Sequence, residues 1–232
     1  LMGHGHLGKW HLDKLKANSQ VEVVGVVDPS EQSCWEVNER HPDTPCFGEI
    51  ATIIDRIDAV IIATPTSTHY AIIRALMERG IHIFCEKPLV TRREEADSLL
   101  AFANTLTKEG QKLPVIQVGH SERMHFIWEQ RKELSQFFNQ PGLVRIDRLA
   151  PFKGRACDVD VVADLMIHDL DLLLYLFDEH PLSLKSYGFR SISEHWDSVT
   201  TTLNFLSGRV ATLTVGRNYT VERREFEIKI GR

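Results

Sequence analysis

The first half of the chain alternates short runs of β-branched apolar residues with stretches of helical period. Residues 21–27, 59–63, 81–85 and 115–118 read as strands, and 6–17, 68–79 and 92–108 as the helices around them. Continuous apolar runs of this length, spaced by amphipathic helices, predict a parallel sheet covered on both faces. The second half changes period. Residues 143–149 read as a strand and 161–177 as a long apolar helix. Residues 182–189, 199–205, 210–215 and 225–230 then alternate polar and apolar. A period of two predicts a mostly antiparallel sheet with one wet face. Ser207-Gly208 sits where a hairpin turn would join two of its strands. The expected architecture is α/β: a doubly wound parallel-sheet domain over residues 1–121, then an α+β domain over 122–232. Both ends are expected to be truncated, because only two residues precede the first glycine and the chain stops at Gly231-Arg232.

Composition narrows the functional classes. The 232 residues are 43% hydrophobic and 25% charged, the balance of an ordinary globular protein. A net charge of -5 argues against a nucleic-acid surface, which needs a basic excess. No apolar run is long enough to span a bilayer, and Leu1-Met2-Gly3 opens no leader pattern. The four cysteines, Cys34, Cys46, Cys85 and Cys157, follow no paired spacing. Neither a disulfide framework nor a metal site is expected, and a reducing cytoplasm fits best.

Gly3-His4-Gly5-His6-Leu7-Gly8 matches G-x-G-x-x-G at a strand-to-helix turn. The first glycine permits the tight turn, the second admits a pyrophosphate, and the third lets the helix pack close. The helix N-terminus then presents free N–H groups to the phosphates. Twenty residues after Gly8, a strand ends in Asp28 with no arginine directly after it. A carboxylate there accepts from both ribose hydroxyls and repels a 2′-phosphate, so the expected cofactor is NAD rather than NADP. His4 and His6 have a metal-like spacing, but their place in a phosphate turn makes coincidence the better reading.

Two loops at the carboxyl ends of strands complete the cofactor side. Thr64-Pro65-Thr66-Ser67-Thr68-His69 opens a helix, and one of its hydroxyls is expected to be the N-cap. The other loop is Glu86-Lys87-Pro88, in which a cis Lys87–Pro88 peptide would fix the direction of the lysine. In the apolar 161–177 helix, Asp164, His168 and Asp171 fall at i, i+4 and i+7 on one face. Such a stripe is either an internal polar network or the wall of a wet site. Asp164 can orient His168, whose imidazole exchanges protons near neutral pH.

These motifs together resemble the Gfo/Idh/MocA family of sugar and inositol oxidoreductases, over essentially the whole chain. The resemblance implies a Rossmann domain followed by an α/β domain with a large antiparallel sheet, which assembles into a homo-oligomer through its open face. It implies NAD as cofactor, held by Gly3, Gly5, His6, Leu7, Gly8, Asp28, Thr64, Pro65, Thr66, His69, Glu86 and Lys87, with Arg123 reaching either the cofactor or the sugar. It places Lys87, Asp164 and His168 at the substrate, with either Lys87 or His168 as the base. A closer likeness is to a bacterial subgroup of UDP-N-acetylglucosamine 3-dehydrogenases. It rests on residues 117–123, 148–152 and 158–171, and departs at Met124-His125-Phe126, where the subgroup reads Phe-Asn-Pro. For a nucleotide-sugar substrate, Asp171 is a further contact. Arg148 and Arg155 are either diphosphate contacts or ordinary ion-pair partners. A dehydrogenase of another sugar or polyol, and a non-catalytic NAD-binding protein, remain the rival readings.

Overall fold

A computed structural model describes residues 1–130, 133–134, 138–154 and 159–230. The chain divides into two compact units, Leu1–Gly119 and His120–Arg232.

The first unit contains α1 (His6–Ala17), β1 (Val26–Val27), α2 (Glu31–Arg40), β2 (Cys46–Phe47), β3 (Ala59–Ile62), α3 (Thr66–Glu78), β4 (His82–Cys85), α4 (Arg93–Lys108) and β5 (Ile116–Val118). All the strand pairs are parallel: β1 with β2, β3 with β4, and β4 with β5. Met2 bridges both Val27 and Ile62 and so joins the two halves of the sheet. Strand β1 is much shorter than the apolar run 21–27 suggests. Its ladder runs out where the Leu1 ammonium donates to the Gly25 carbonyl at 3.0 Å. Residues 20–25 instead line a cavity of about 500 Å³ with residues 58–61, Leu1 and Met2. The main core packs Ile62, Ile73, Leu76, Ile83 and Cys85, all nearly inaccessible, between the sheet and α3 and α4.

The second unit holds a five-stranded sheet and one long helix. The strands are β6 (Gly142–Leu149), β7 (Ser183–Phe189), β8 (Ser198–Asn204), β9 (Val210–Gly216) and β10 (Arg223–Ile230), in the order β10-β6-β9-β8-β7. Three of the four pairings are antiparallel, and the central β6–β9 pair is parallel. Gly208, at a φ of 83°, makes the turn between β8 and β9. The apolar helix is not uniform. Residues Val162–Met166 form a π-turn, and α5 (Ile167–Phe177) continues from it as an α-helix. An i→i+5 turn shifts the phase of the residues before it relative to those after. Helix α5 buries Leu172, Leu173, Leu176 and Phe177 against Val199, Leu203, Leu213 and Val215 on the sheet.

Two sequence expectations need correction. Strand β7 is exposed throughout rather than alternately buried, because none of its side chains joins the core packed under the helix. The cysteines are also not all unpaired: Cys34 on α2 and Cys46 on β2 form a disulfide with a Cα–Cα distance of 5.3 Å. Their sequence spacing carries no motif, and only the folding of α2 over β2 brings them together. Among the described residues, no helix is long and apolar enough to cross a membrane.

A bond that closes a loop of this length stabilises a fold by about 3 kcal/mol. Cys34→Ser is therefore expected to lower the urea-unfolding free energy by roughly 2–3 kcal/mol. Dithiothreitol should lower the wild type equally and leave the variant unchanged. Equal stability of the wild type with and without reductant would show the two thiols unlinked in solution.

Candidate active site

The glycine turn is built by close approach. Gly3 has a φ of 84°, and a Cβ on it would lie 2.7 Å from the Ala63 carbonyl oxygen. A Cβ on Gly8 would lie 2.1 Å from the Gly3 carbonyl oxygen, so the first turn of α1 rests directly on the loop. Gly5 differs, since a Cβ there would meet no atom within 4 Å. It faces open space at the N-cap of α1, and no side chain caps that helix. Uncapped N–H groups beside an open glycine suit a pyrophosphate.

Asp28 closes the other side of this cradle. Its Oδ2 accepts the His4 N–H at 2.8 Å and its Oδ1 accepts the Ser30 N–H at 2.9 Å. Each carboxylate oxygen can accept twice, so capacity for two hydroxyls remains. His4, at 2% exposure, lies in the turn, and burial lowers its imidazole pKa, which keeps the ring neutral. The His6 ring lies tilted against the exposed Trp10 at 4.9 Å, and Leu7 is exposed. Among the described residues, no three His, Cys, Asp or Glu are grouped to hold a metal ion.

The two nearby loops are tied to each other. Helix α3 begins at Thr66 with Pro65 in the N-cap position and no side-chain cap, contrary to the expected hydroxyl cap. Thr68 Oγ1 donates instead to the Pro65 carbonyl at 2.8 Å and meets Thr64 Oγ1 at 2.7 Å. His69 is 1% exposed, and its ring nitrogens lie 2.9 Å from the Thr64 carbonyl and 3.0 Å from the Pro88 carbonyl. It links the two loops through these two carbonyls. The Lys87–Pro88 peptide is cis. Glu86 accepts from His11 Nε2 at 2.7 Å, so its carboxylate is engaged within the unit. Sequence reasoning missed His11. It falls one helical turn beyond the G-x-G-x-x-G pattern, and its partner is 75 residues away.

In the second unit, Asp164 lies on the π-turn and His168 in the first turn of α5, both half-buried. Asp160 starts this segment by accepting the N–H groups of Val162 and Ala163 at 3.0 and 2.9 Å. The neighbouring acids form ion pairs. Asp171, 8% exposed, accepts from Arg123 Nε at 2.7 Å and also from its Nη2, with His120 Nδ1 at 3.5 Å. Arg123 also lies 5.2 Å above the Tyr175 ring. Asp169, 1% exposed, accepts from Arg148 Nε at 3.1 Å and from its Nη2 at 2.5 Å. Burial raises the Asp169 pKa, and the arginine opposes the shift. Arg148 also lies 3.7 Å from Glu122. Arg148 is thus paired with acids on two elements. Arg155 lies outside the described residues. Asp169 gave no signal in the sequence beyond being an acid in an apolar helix.

Residues 1–115 match the NAD-binding Rossmann fold of the GFO_IDH_MocA oxidoreductase family, and residues 138–230 match a GFO/IDH/MocA C-terminal domain. The chain belongs to the Gfo/Idh/MocA family. It is similar to the UDP-N-acetylglucosamine 3-dehydrogenase of Acidithiobacillus ferrooxidans, 35% identical over 94% of this chain and 66% of that protein. A solved structure of that enzyme superposes with a TM-score of 0.86 at 34% identity, covering 99% of this chain and 72% of the other. The inositol 2-dehydrogenase of Rhodococcus erythropolis is 30% identical over 80% of this chain and 54% of that protein. The chain thus spans about half to two thirds of the length of these curated relatives. The matched domain is an NAD-binding one, so the cofactor is NAD.

We propose that the Asp28 carboxylate, which keeps acceptor capacity beyond the His4 and Ser30 N–H groups, is the group that meets a ribose. Two charges about 4 Å apart near a protein surface interact by ~4 kcal/mol. A 2′-phosphate at Asp28 is therefore strongly disfavoured. Asp28→Ala is expected to weaken NADH binding at least ~10-fold and to narrow the preference over NADPH by ~100-fold or more. Fluorescence titration with both reduced cofactors checks this, and an unchanged ratio would remove Asp28 from cofactor selection.

Proposed function

We propose that this protein is an NAD-dependent dehydrogenase that oxidises a ring hydroxyl of a sugar to a ketone, and that its substrate is the 3-hydroxyl of UDP-N-acetylglucosamine. The observation that carries the substrate is the 35% identity to the Acidithiobacillus enzyme over nearly the whole chain. The glycine turn and Asp28 support the cofactor side, through an open cradle for a pyrophosphate and a carboxylate for a ribose.

NAD, when bound, supplies the hydride acceptor. His168 takes the hydroxyl proton as general base, and Asp164 orients the ring and stabilises the imidazolium. Lys87, when protonated, is a donor that stabilises negative charge as the proton leaves. Lys87 is the alternative base. Arg123 and Asp171 position the 121–124 segment against α5 in this reading, and Arg148 with Asp169 holds α5 to β6.

The relation to inositol dehydrogenases favours a second reading, a polyol of similar hydroxyl pattern. Met124-His125-Phe126, with Met124 and Phe126 exposed, is where the two substrates would differ in contacts. For the homo-oligomer, we propose the open face of the second sheet. It carries Tyr187 and Phe189 at 64% and 63% exposure beside Thr200, Thr202, Thr212 and Thr214. Cytoplasm is the proposed compartment because that is where NAD and nucleotide sugars are held. The cysteine argument for it falls with the Cys34–Cys46 bond.

NADH absorbance with NAD⁺ and UDP-N-acetylglucosamine, beside a panel of inositols and simple sugars, tests the proposal. Signal with the nucleotide sugar alone is expected. Signal with an inositol alone would replace the substrate and keep the chemistry. Lys87→Ala and His168→Ala should each lower kcat by ~10²–10⁴-fold with NAD affinity within about threefold. Near-normal turnover in both variants would overturn the site.

A further inference from the structure

The backbone on each side of Lys87 is held by a histidine, and the two histidines come from different helices. On the upstream side, Glu86 N–H donates to the Ile62 carbonyl at 2.9 Å, which anchors the segment to β3. The Glu86 carboxylate reaches His11 on α1 at 2.7 Å. A carboxylate only accepts, so His11 Nε2 carries the proton. The two side chains are 15% and 20% exposed, which shields the contact from competing water. Phe84 lies edge-on to the His11 ring at 5.5 Å. A Cβ on Gly119 would come within 3.0 Å of Glu86 Oε2 and 3.1 Å of Phe84, so a glycine there leaves the carboxylate its room.

On the downstream side, the Pro88 carbonyl meets His69 Nδ1 at 3.0 Å, and the far nitrogen of the same ring meets the Thr64 carbonyl at 2.9 Å. Both partners only accept. A neutral ring serves one of them and a protonated ring serves both. Cys85 Sγ lies 3.4 Å from Nδ1. Burial pushes the Cys85 thiol up to about 12, so it packs there uncharged.

We infer that His11 and His69 are positioning residues for Lys87: His11 fixes the residue before it through the Glu86 carboxylate, and His69 fixes the residue after it through the Pro88 carbonyl. The inference rests on the reading of Lys87 as a catalytic group. Each histidine acts on Lys87 through the backbone beside it. Each transmits the position of a helix that opens at the cofactor cradle, α1 from the glycine turn and α3 from the Thr64 loop. The lysine is thereby referenced to both loops at once. A misplacement of about 1 Å in such a group costs on the order of 10²-fold in rate.

The test compares His11→Ala, His11→Gln and His69→Gln in the full-length protein, with two readouts. The first is steady-state kinetics. His11→Ala should lower kcat at least 10-fold with the KM for NAD⁺ within threefold, and His11→Gln, whose amide still donates to the carboxylate, should recover most of the loss. His69→Gln, which keeps one of two contacts, should fall between wild type and His11→Ala. The second readout needs no turnover: the rate of Lys87 acetylation by limiting acetic anhydride, read by peptide mass against the exposed Lys108 and Lys112. His11→Ala should change the Lys87 rate at least threefold and leave the reference lysines unchanged. Should His11→Ala not fold, Glu86→Leu, which keeps much of the volume and cannot accept the His11 N–H, takes its place in both readouts. An unchanged Lys87 rate together with wild-type kcat in these variants overturns the clamp and leaves the dehydrogenase reading intact. A wild type that turns over no sugar, with Lys87 labelling altered in the variants, overturns that reading and upholds the clamp.

Discussion

The first unit depends on a contact that admits no side chain. Gly8 sits on the Gly3 carbonyl, and Gly3 sits on the Ala63 carbonyl. Two backbone approaches in series lock the start of α1 to the end of β3. Everything that follows along α1 inherits that position. The His4 N–H points at Asp28 because the turn is tight. His11 arrives at Glu86 because the helix begins where it does. A methyl group at Gly3 or Gly8 would move the phosphate turn, Asp28's partner and the Glu86 contact together. Close packing transmits such a shift instead of absorbing it.

The second unit depends on the disposal of buried charge. Helix α5 is apolar on most of its surface, yet it carries Asp169 and Asp171 in positions that water barely reaches. An isolated buried carboxylate is costly, and the cost is offset only by paired, well-directed donors. Arg148 and Arg123 supply them from β6 and from the 121–124 segment. The acids nearest the proposed chemistry are treated differently. Asp164 and His168 are half-buried and lie on either side of the junction between π-turn and α-helix. π-Turns are frequent at functional sites because the extra residue re-aims a side chain without breaking the helix. The polar residues of this helix thus divide into a structural set and an accessible set.

Periodicity made the first layer of this structure legible. Helix α1 spans the residues its pattern predicts, and α3 and α4 begin within two residues of theirs. The glycine turn and Asp28 were legible as a pair because their spacing reflects one strand–helix–strand unit. What stayed hidden has a common cause, since each feature depends on a partner distant in sequence. His11 meets Glu86 across 75 residues and Arg123 meets Asp171 across 48. Apolar residues 21–24 promised a strand, but a strand exists only where a neighbour pairs with it, and the pairing begins at Gly25. Helix α2 gave no sustained period, because it buries only Val37.

That last helix raises the question of what holds it in place. Burial of one valine is worth about 2 kcal/mol, too little to offset the ordering of ten residues on its own. Three further contacts share the task. The Ser30 hydroxyl caps the N-terminus by accepting the Ser33 N–H at 3.3 Å. Lys9 on α1 pairs with Glu36 at 2.5 Å. The Cys34–Cys46 bond ties the helix to β2. All three lie close to the Asp28–Ser30 turn, where Asp28 Oδ1 accepts the Ser30 N–H. A carboxylate that selects a ribose must be presented in one rotamer before the ligand arrives, or binding has to supply the ordering. The cap, the ion pair and the disulfide therefore act on the cofactor site through α2, as fixed supports for an otherwise weakly packed helix that directly follows Asp28.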